Sequence, residues 1–348
     1  MISFFKKNKH HFPVAALVFG LVWDSLTLGR PDELYGNLVL LSYLIVSGFC
    51  IVLMARRELL QKEPKIWLSI ITQFSFGNLA GGLLVLYIGS ATFVGNWPFL
   101  LIIVGLLIGN EVFKTRYEQL HFNTIVYYLL TLLYSILIVP VLFRSIEAWT
   151  FLVSMTLSII IIGIFLYILN FVARDVLIKS RAILIRGIFA VLIIFGTLYY
   201  SNIIPPVPLS VRDIGIFHSV ERVGGNYRVT YEKENWYTFW KKSDSKIYLS
   251  TTNTASCFSA IFAPTELDTP VLHVWEKFNK DSETWEEKGR FDFPISGGRV
   301  AGYRGYSEKT VDEGKWRCSV ETKRGALLGR VGVLVSSGSA SKFVTDTR

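Results

Sequence analysis

The stretch RAILIRGIFAVLIIFGTLYYSNIIPPVPLSVRD, residues 181–213, decides how the chain is organised. Its apolar run at residues 188–198 is preceded by cations and followed by Tyr199 and Tyr200, as in a helix that leaves a bilayer. The prolines that follow stop the helix, because proline lacks the backbone N–H and disfavours helix in the residue before it. The stretch therefore predicts a membrane half before the prolines and a soluble half after them.

The composition agrees with two unlike halves. The 348 residues are 51% hydrophobic with a mean hydropathy of +0.41, and only 18% are charged, against roughly 25% in soluble domains. The net charge is +9, but much of the excess of cations lies between the apolar segments of the first half. Such a distribution predicts membrane topology, so we expect membrane lipids as partners and no nucleic acid.

The first half, residues 1–204, is predicted to be an all-α membrane domain. Seven apolar segments are each near the roughly 20 residues that cross the hydrocarbon core. They are residues 12–28, 37–55, 66–88, 97–113, 123–143, 149–172 and 182–203. In the resulting topology, almost all the cations of this half lie on one side of the membrane. Only Arg30 and Arg144 lie on the other side. The positive-inside rule then predicts a cytoplasmic N-terminus, and an odd number of spans exports the second half.

The second half is predicted to be all-β. After a proline-rich hinge at residues 205–210, short alternating segments separated by turn residues replace the long apolar runs. Many short strands at this spacing predict an immunoglobulin-like sandwich over residues 211–335, followed by a disordered tail at residues 336–348. In the clearest hairpin, the first strand carries Trp316, Cys318 and Val320 on one face and Arg317, Ser319 and Glu321 on the other. The returning strand carries Val331, Val333 and Val335 on one face.

The two cysteines of the second half could form a disulfide in an exported domain. However, Phe258 and Phe262 share a strand face that excludes Cys257, whereas Cys318 shares the face of Trp316. If each strand has one buried face, the two sulfur atoms point apart. We therefore expect no bridge between them.

Three motifs of the second half occur together and in order. They are FAPTELDTPVLHVWEKF at residues 262–278, GGRVAGYRGYSEK at residues 297–309 and GKWRCSVETKRGALLGRVGVLV at residues 314–335. Together they resemble the C-terminal domain of unknown function 2914. The resemblance implies a bacterial cytoplasmic (inner) membrane protein, whose C-terminal domain lies in the periplasm where the cell has two membranes. It carries over no catalytic residues.

The candidate binding site lies in the second half. Arginine and tyrosine are favoured at contact surfaces because they combine apolar area with directed hydrogen bonds. These candidates are Arg299, Tyr303, Arg304 and Tyr306, together with Trp275 and His273. No carboxylate or cysteine spacing supports a metal site at the histidines, so we expect neither a metal nor another cofactor.

Two functional hypotheses remain open at this point, beside a structural one in which the spans serve purely as an assembly interface. In the leading one, the sandwich binds an envelope polymer, such as a glycan, or a partner protein. In the alternative, the protein is a transporter or membrane enzyme for a small or lipid-linked substrate. Its site would then lie among the spans, where polar groups are costly and therefore functional candidates. The intramembrane polar candidates are Asp24, Gln73, Asn78 and Glu111. The sequence does not decide whether any reaction is catalysed.

Overall fold

The computed structural model describes residues 22, 24–63, 65–112, 119–232, 243–249, 253–263, 267–296, 302–338 and 343–348. Its contacts divide the chain into two compact units. The helical unit comprises Met1–Gly89 and Asn96–Pro208, and the β unit comprises Ser90–Gly95 and Leu209–Arg348. The predicted division into a helical half and an all-β half is confirmed.

Five helices of the described residues are long and apolar enough to cross a membrane. They are α1 (Leu34–Leu59), α2 (Ile66–Ile88), α3 (Phe93–Val112), α4 (Leu120–Phe143) and α5 (Ala148–Tyr200). Residues 24–27 form a further helical turn, but most of the predicted first span, residues 12–28, lies outside the described residues. The helices match the positions of the predicted second to seventh spans, with the last two joined in α5.

Helix α5 folds back on itself. Its 53 residues are interrupted at Ala173, whose φ of −148° and ψ of 54° are not helical. The rings of Phe151 and Tyr199 are stacked with their centroids 3.7 Å apart, whereas a straight helix would separate these residues by about 70 Å. The chain therefore reverses near Ala173, and α5 consists of two arms of about 25 residues, each long enough for one crossing.

Helix α4 is the most buried of the five, and some of its hydroxyl groups and carbonyls pair within the helical unit. The hydroxyl of Thr131 donates to the carbonyl of Tyr127, and that of Ser135 donates to the carbonyl of Thr131. The hydroxyl of Tyr87, on α2, donates to the carbonyl of Leu133 over 2.8 Å. Such internal pairing is what an apolar environment requires, since no solvent is there to replace a missing partner.

The β unit contains eleven described strands. In chain order they are β1 (Ser210–Phe217), β2 (Ser219–Val223), β3 (Asn226–Glu232), β4 (Lys246–Leu249), β5 (Thr254–Phe262), β6 (Asp268–Asn279), β7 (Thr284–Ser296), β8 (Tyr303–Thr310), β9 (Gly314–Thr322), β10 (Leu327–Ser337) and β11 (Phe343–Thr347). They form a five-stranded sheet in the order β4-β10-β9-β6-β7, an inner sheet β1-β5-β8 and a covering sheet β11-β3-β2. All pairs are antiparallel except β4 with β10.

Two apolar clusters hold these sheets together, one on each side of the inner sheet. Between the inner and the five-stranded sheets lies a core that includes Trp275, Trp316, Ile216 and Val333. On the other side, Phe217 and Phe258 pack with Val220 and Val229 of the covering sheet, among others. Strand β5 is therefore buried on both faces, whereas a two-sheet sandwich would bury only one.

This double burial explains why the expectation about the cysteines was wrong. Cys257 and Cys318 form a disulfide that joins β5 to β9, with their Cα atoms 6.4 Å apart. The alternation along β5 places Phe258 against the covering sheet, so its neighbour Cys257 points into the core that contains Cys318. Reading the large phenylalanines as the only buried face reversed the orientation of the strand.

The expected disordered tail is also corrected, since part of it forms β11. Phe343–Thr347 pairs with β3 in antiparallel register, and the preceding strand β10 extends to Ser337. After β11, the guanidinium Nη1 of Arg348 binds Asp213 over 2.6 Å. This polar segment is ordered because it pairs with β3 and because Arg348 forms a partly buried ion pair with Asp213.

Candidate functional site

The outer face of the five-stranded sheet is a polar surface whose side chains are held by contacts with one another. Along β9 the inward residues Trp316, Cys318 and Val320 are buried in the core, as predicted, so the intervening residues point outward. We call this surface the Arg317 face. It consists of Glu276, Trp285, Glu287, Arg290, Arg317, Ser319, Glu321 and Arg330.

The centre of the Arg317 face is a rigid group of three side chains. Arg317 lies directly opposite Glu276 on the neighbouring strand and donates to both of its carboxylate oxygens, over 2.6 and 2.7 Å. The guanidinium carbon also lies 4.1 Å from the centroid of the Trp285 ring. A two-pronged ion pair and a cation–π contact fix this arginine in one orientation.

Burial shifts the pKa values of two charged groups beside this centre, Glu321 and Arg330. Burial raises the pKa of the Glu321 carboxyl, with Arg290 opposing that rise. Burial also lowers the pKa of the Arg330 guanidinium, and the nearby positive charge of Arg317 lowers it further. Beneath them the sheet residue Ser319 is fully buried and accepts a hydrogen bond from Arg330 Nε over 2.8 Å. Charged groups in this setting favour the binding of a partner surface of complementary charge.

The edge of the sheet is less suited to binding than its face. Strand β7 is one of the two edge strands of this sheet, and its exposed residues include Glu287, Lys288 and Arg290. Its pairing with β6 shifts register between Trp275 and Glu276, which marks a bulge. Charges and bulges are the devices by which edge strands avoid pairing with another chain. A partner is therefore expected on the face of the sheet.

The predicted surface residues on β8 serve partly to hold the covering sheet. Arg304 Nη1 donates to the backbone carbonyl of Arg348 over 2.9 Å, and Tyr306 packs edge-on against Tyr227. Tyr306 keeps 39% of its side-chain surface exposed. Pairing of β8 with β5 runs without a register shift, so Tyr303 points to the opposite side from Arg304 and Tyr306. Arg299 lies outside the described residues.

His273 and Trp275 were wrongly expected at a contact surface, because both are fully buried. His273 Nε2 lies 2.7 Å from the hydroxyl of Ser259, and Nδ1 lies 2.9 Å from that of Ser307. The Trp275 indole N–H donates to the same Ser307 hydroxyl over 3.0 Å. This network crosses from the five-stranded sheet to the inner sheet. Burial lowers the pKa of His273 to about 3, so the ring is neutral at physiological pH.

Three potential metal ligands do converge beside this network, at Cys257, His273 and Cys318, with donor atoms within 4.8 Å of one another. Metal binding by cysteine requires the thiolate, and these two sulfur atoms are bonded to each other. Both ring nitrogens of His273 are engaged by serines. In the oxidised protein, these three residues therefore have a structural role.

Among the intramembrane candidates, Gln73 has a role in helix packing. Its side-chain Nε2 donates to the carbonyl of Asn110, and Asn110 Nδ2 donates to the carbonyl of Gln73, which clasps α2 to α3. The side chain of Asn78 donates to the carbonyl of Phe74 on its own helix. Asp24 lies in the helical turn before α1, and Glu111 lies at the end of α3. The structure records no cluster of these four residues in the part of the chain that it describes.

Comparisons with known proteins bear mainly on the β unit. A family model described as protein of unknown function (DUF2914) matches residues 268–333, which span β6 to β10. No curated protein matches the chain.

Two solved structures match weakly. An immunoglobulin-like protein from Pseudomonas aeruginosa is 13% identical with a TM-score of 0.23, over 37% of this chain and 98% of that chain. The DNA glycosylase AlkC of Pseudomonas fluorescens, solved with abasic-site DNA, is 10% identical with a TM-score of 0.21, over 89% and 100%. Such scores support no argument about fold or activity.

Proposed function

We propose that this protein is an integral protein of the bacterial cytoplasmic membrane that presents an immunoglobulin-like domain outside the cytoplasm and binds an envelope protein through the Arg317 face. The observation that carries the binding role is the fixed group of Arg317, Glu276 and Trp285, beside Glu321 and Arg330, whose pKa values burial shifts. Arginine and tryptophan dominate binding energy at protein interfaces.

The strand connections support the immunoglobulin-like assignment. Immunoglobulin domains pair strands A, B and E in one sheet and C, F and G in the other, with a disulfide from B to F and a buried tryptophan on C. Here β1-β5-β8 face β10-β9-β6-β7, and the disulfide joins β5 to β9. Trp275 on β6 lies directly opposite Cys318. Strands β2, β3, β4, β7 and β11 are additions to these six strands.

Two features support the proposed location outside the cytoplasm. Disulfides persist in oxidising compartments and are rare in the cytosol. The reversal at Ala173 turns α5 into two crossings, so a first span at residues 12–28 would bring the number of crossings to seven. With the cations of the connecting loops in the cytoplasm, seven crossings place the β domain on the other side.

The contacts that cover the Trp285 ring favour a protein partner over a sugar polymer. Sugars stack on exposed aromatic faces, but one face of this ring is covered by Arg317 and its edge contacts Phe278. The face instead offers fixed charges of both signs, which suit a surface of complementary charge.

Photo-crosslinking in living cells tests the proposal. A photoreactive amino acid at Leu334, which is 41% exposed near the Arg317 face, should yield a discrete crosslinked protein that mass spectrometry identifies. The same probe at Val223, 46% exposed on the covering sheet, is the matched control and should yield none. Arg317→Ala and Arg330→Ala should each abolish the Leu334 product, whereas Arg222→Ala on the covering sheet should not.

Three results would redirect the search. A product from Val223 that Tyr306→Ala removes would move the contact to the surface of β8. A crosslinked glycan would replace the protein partner by a polymer. Loss of the cellular phenotype in Asp24→Asn, at normal abundance and with the Leu334 product intact, would favour the alternative of a transporter or membrane enzyme.

A further inference from the structure

A cavity of about 350 Å³ lies at one end of the helical unit, where α1 ends and α2 and α4 begin. Its volume is in the range of small-molecule sites. Its inner wall is apolar, with Ile51, Ala55, Leu68 and Leu120 buried in the structure. A cavity of this kind can hold hydrocarbon.

The rim of the cavity is cationic. Arg57, Lys62 and Lys65 line it together with a single acid, Glu58. Arg57 donates to the carbonyl of Glu63 through Nε over 3.2 Å and Nη2 over 2.9 Å, which fixes the guanidinium at the rim. The two lysines are exposed. The rim therefore attracts an anionic group.

An aromatic residue of the kind found at membrane interfaces lies beside the rim. Trp67 is 48% exposed beside the rim, and the Lys65 ammonium lies 5.9 Å from its ring centroid. Tryptophan is enriched at the level of the headgroups in membrane proteins. Ser69 and Asn123 add polar groups to the lining. The cavity thus combines charged, polar and apolar groups, as a phospholipid does.

We propose that this cavity binds one anionic phospholipid. Its phosphate would lie at Arg57, Lys62 and Lys65, and the first part of an acyl chain would pack against the apolar wall. Basic pockets between membrane helices on the cytoplasmic side are suited to such headgroups. Complementary charge selects an anionic over a zwitterionic lipid, and the apolar wall selects a lipid over free phosphate. The site is independent of the Arg317 face.

The full-length protein, purified in a neutral detergent, allows a direct test. Native mass spectrometry should show one retained phosphatidylglycerol, and added phosphatidylglycerol should raise the melting temperature more than phosphatidylcholine or inorganic phosphate. Lys62→Gln with Lys65→Gln should weaken phosphatidylglycerol binding about 30-fold, roughly fivefold for each lysine near a charged lipid surface. Lys179→Gln with Arg181→Gln removes two exposed cations that do not line the cavity and should change nothing.

A second variant tests the apolar compartment without altering charge. Ser69→Leu fills part of the cavity and should reduce phosphatidylglycerol binding while leaving the melting temperature of the lipid-free protein within a few degrees. Equal stabilisation by phosphatidylcholine, or by inorganic phosphate alone, would overturn the proposal. So would unchanged phosphatidylglycerol binding in the double lysine variant or in Ser69→Leu.

Discussion

At the residue scale, one buried histidine joins the two main sheets of the β domain. His273 projects from β6 and is held by Ser259 on β5 and Ser307 on β8, while Trp275 binds the same Ser307. A buried polar network of this kind is stabilising only while every member has its partner. Protonation of the ring would place an uncompensated charge in the core, where it is strongly disfavoured.

This arrangement predicts acid sensitivity of the β domain. The pKa of His273 falls from 6.5 to about 3 on folding because of burial, so between these values the unfolded chain binds a proton that the folded domain does not. The free energy of unfolding therefore falls as pH drops below about 6.5. The loss should be about 2 kcal/mol between pH 7 and pH 5.

Urea unfolding of the β domain, residues 209–348, at a series of pH values measures this slope. His273→Gln removes the titrating group, and the difference between the two proteins isolates its contribution from that of Glu321 and the other acids. If the variant loses as much stability as the wild type between pH 7 and pH 5, His273 is not the acid-sensitive group.

Residue orientation was predictable where a strand has one buried face and failed where it has two. Along β9, the inward Trp316 and Cys318 and the outward Arg317 follow the simple alternation of the sequence. Along β5 both faces are buried, so the alternation of large and small residues does not show which way each side chain points. The orientation of Cys257 was therefore predicted wrongly. The disulfide could have been found only with knowledge of the covering sheet.

The Arg317 face was missed for a related reason. Its residues are spread over four strands, β6, β7, β9 and β10, and only their register brings Glu276 opposite Arg317. Sequence reasoning instead favoured the compact RVAGYRGY motif, where arginine and tyrosine are neighbours along the chain. That motif holds Arg304, which binds the end of the covering sheet rather than standing free.

At the element scale, the reversal within α5 determines the number of crossings in the proposed topology. Hydropathy located both arms in advance, because each carries its own apolar run. It could not show that only Ala173 departs from helical geometry between them, since neither glycine nor proline marks the position. The turn is set by packing, with Ala173 fully buried and the rings of Phe151 and Tyr199 stacked at the far ends of the arms.

The reversal predicts which side of the membrane each end of α5 faces. In a Cys50→Ala background, single cysteines at the exposed positions Glu147, Lys179 and Ser201 report their side by reaction with a membrane-impermeant maleimide. Cysteines at 147 and 201 should react in intact cells, whereas the cysteine at 179 should react only after permeabilisation. Labelling of 147 and 201 from opposite sides would contradict a two-arm α5.

Amino-acid composition alone does not predict every strand of the covering sheet. Its strand β11 is short and polar, and four of its five residues are exposed. Such a segment has no internal reason to be ordered. Its order depends on hydrogen bonds to β3 and on the pair of Arg348 with Asp213, and neither partner is adjacent in sequence.

At the scale of the whole molecule, the division into a helical unit and a β unit follows from hydropathy and from the prolines after Tyr200. The central claim is that the helical unit crosses the membrane an odd number of times and exports the β domain. It rests on the cation distribution, on the reversal of α5 and on a disulfide that suits an oxidising compartment.

A reporter enzyme that is active only outside the cytoplasm tests this claim most directly. Fused after Arg348, so that β11 and its pairing are kept, the reporter should be active. Fused after Gln61, in the loop between α1 and α2, it should be inactive at equal abundance. Activity of the Gln61 fusion together with an inactive Arg348 fusion would contradict the proposed topology and place the β domain in the cytoplasm.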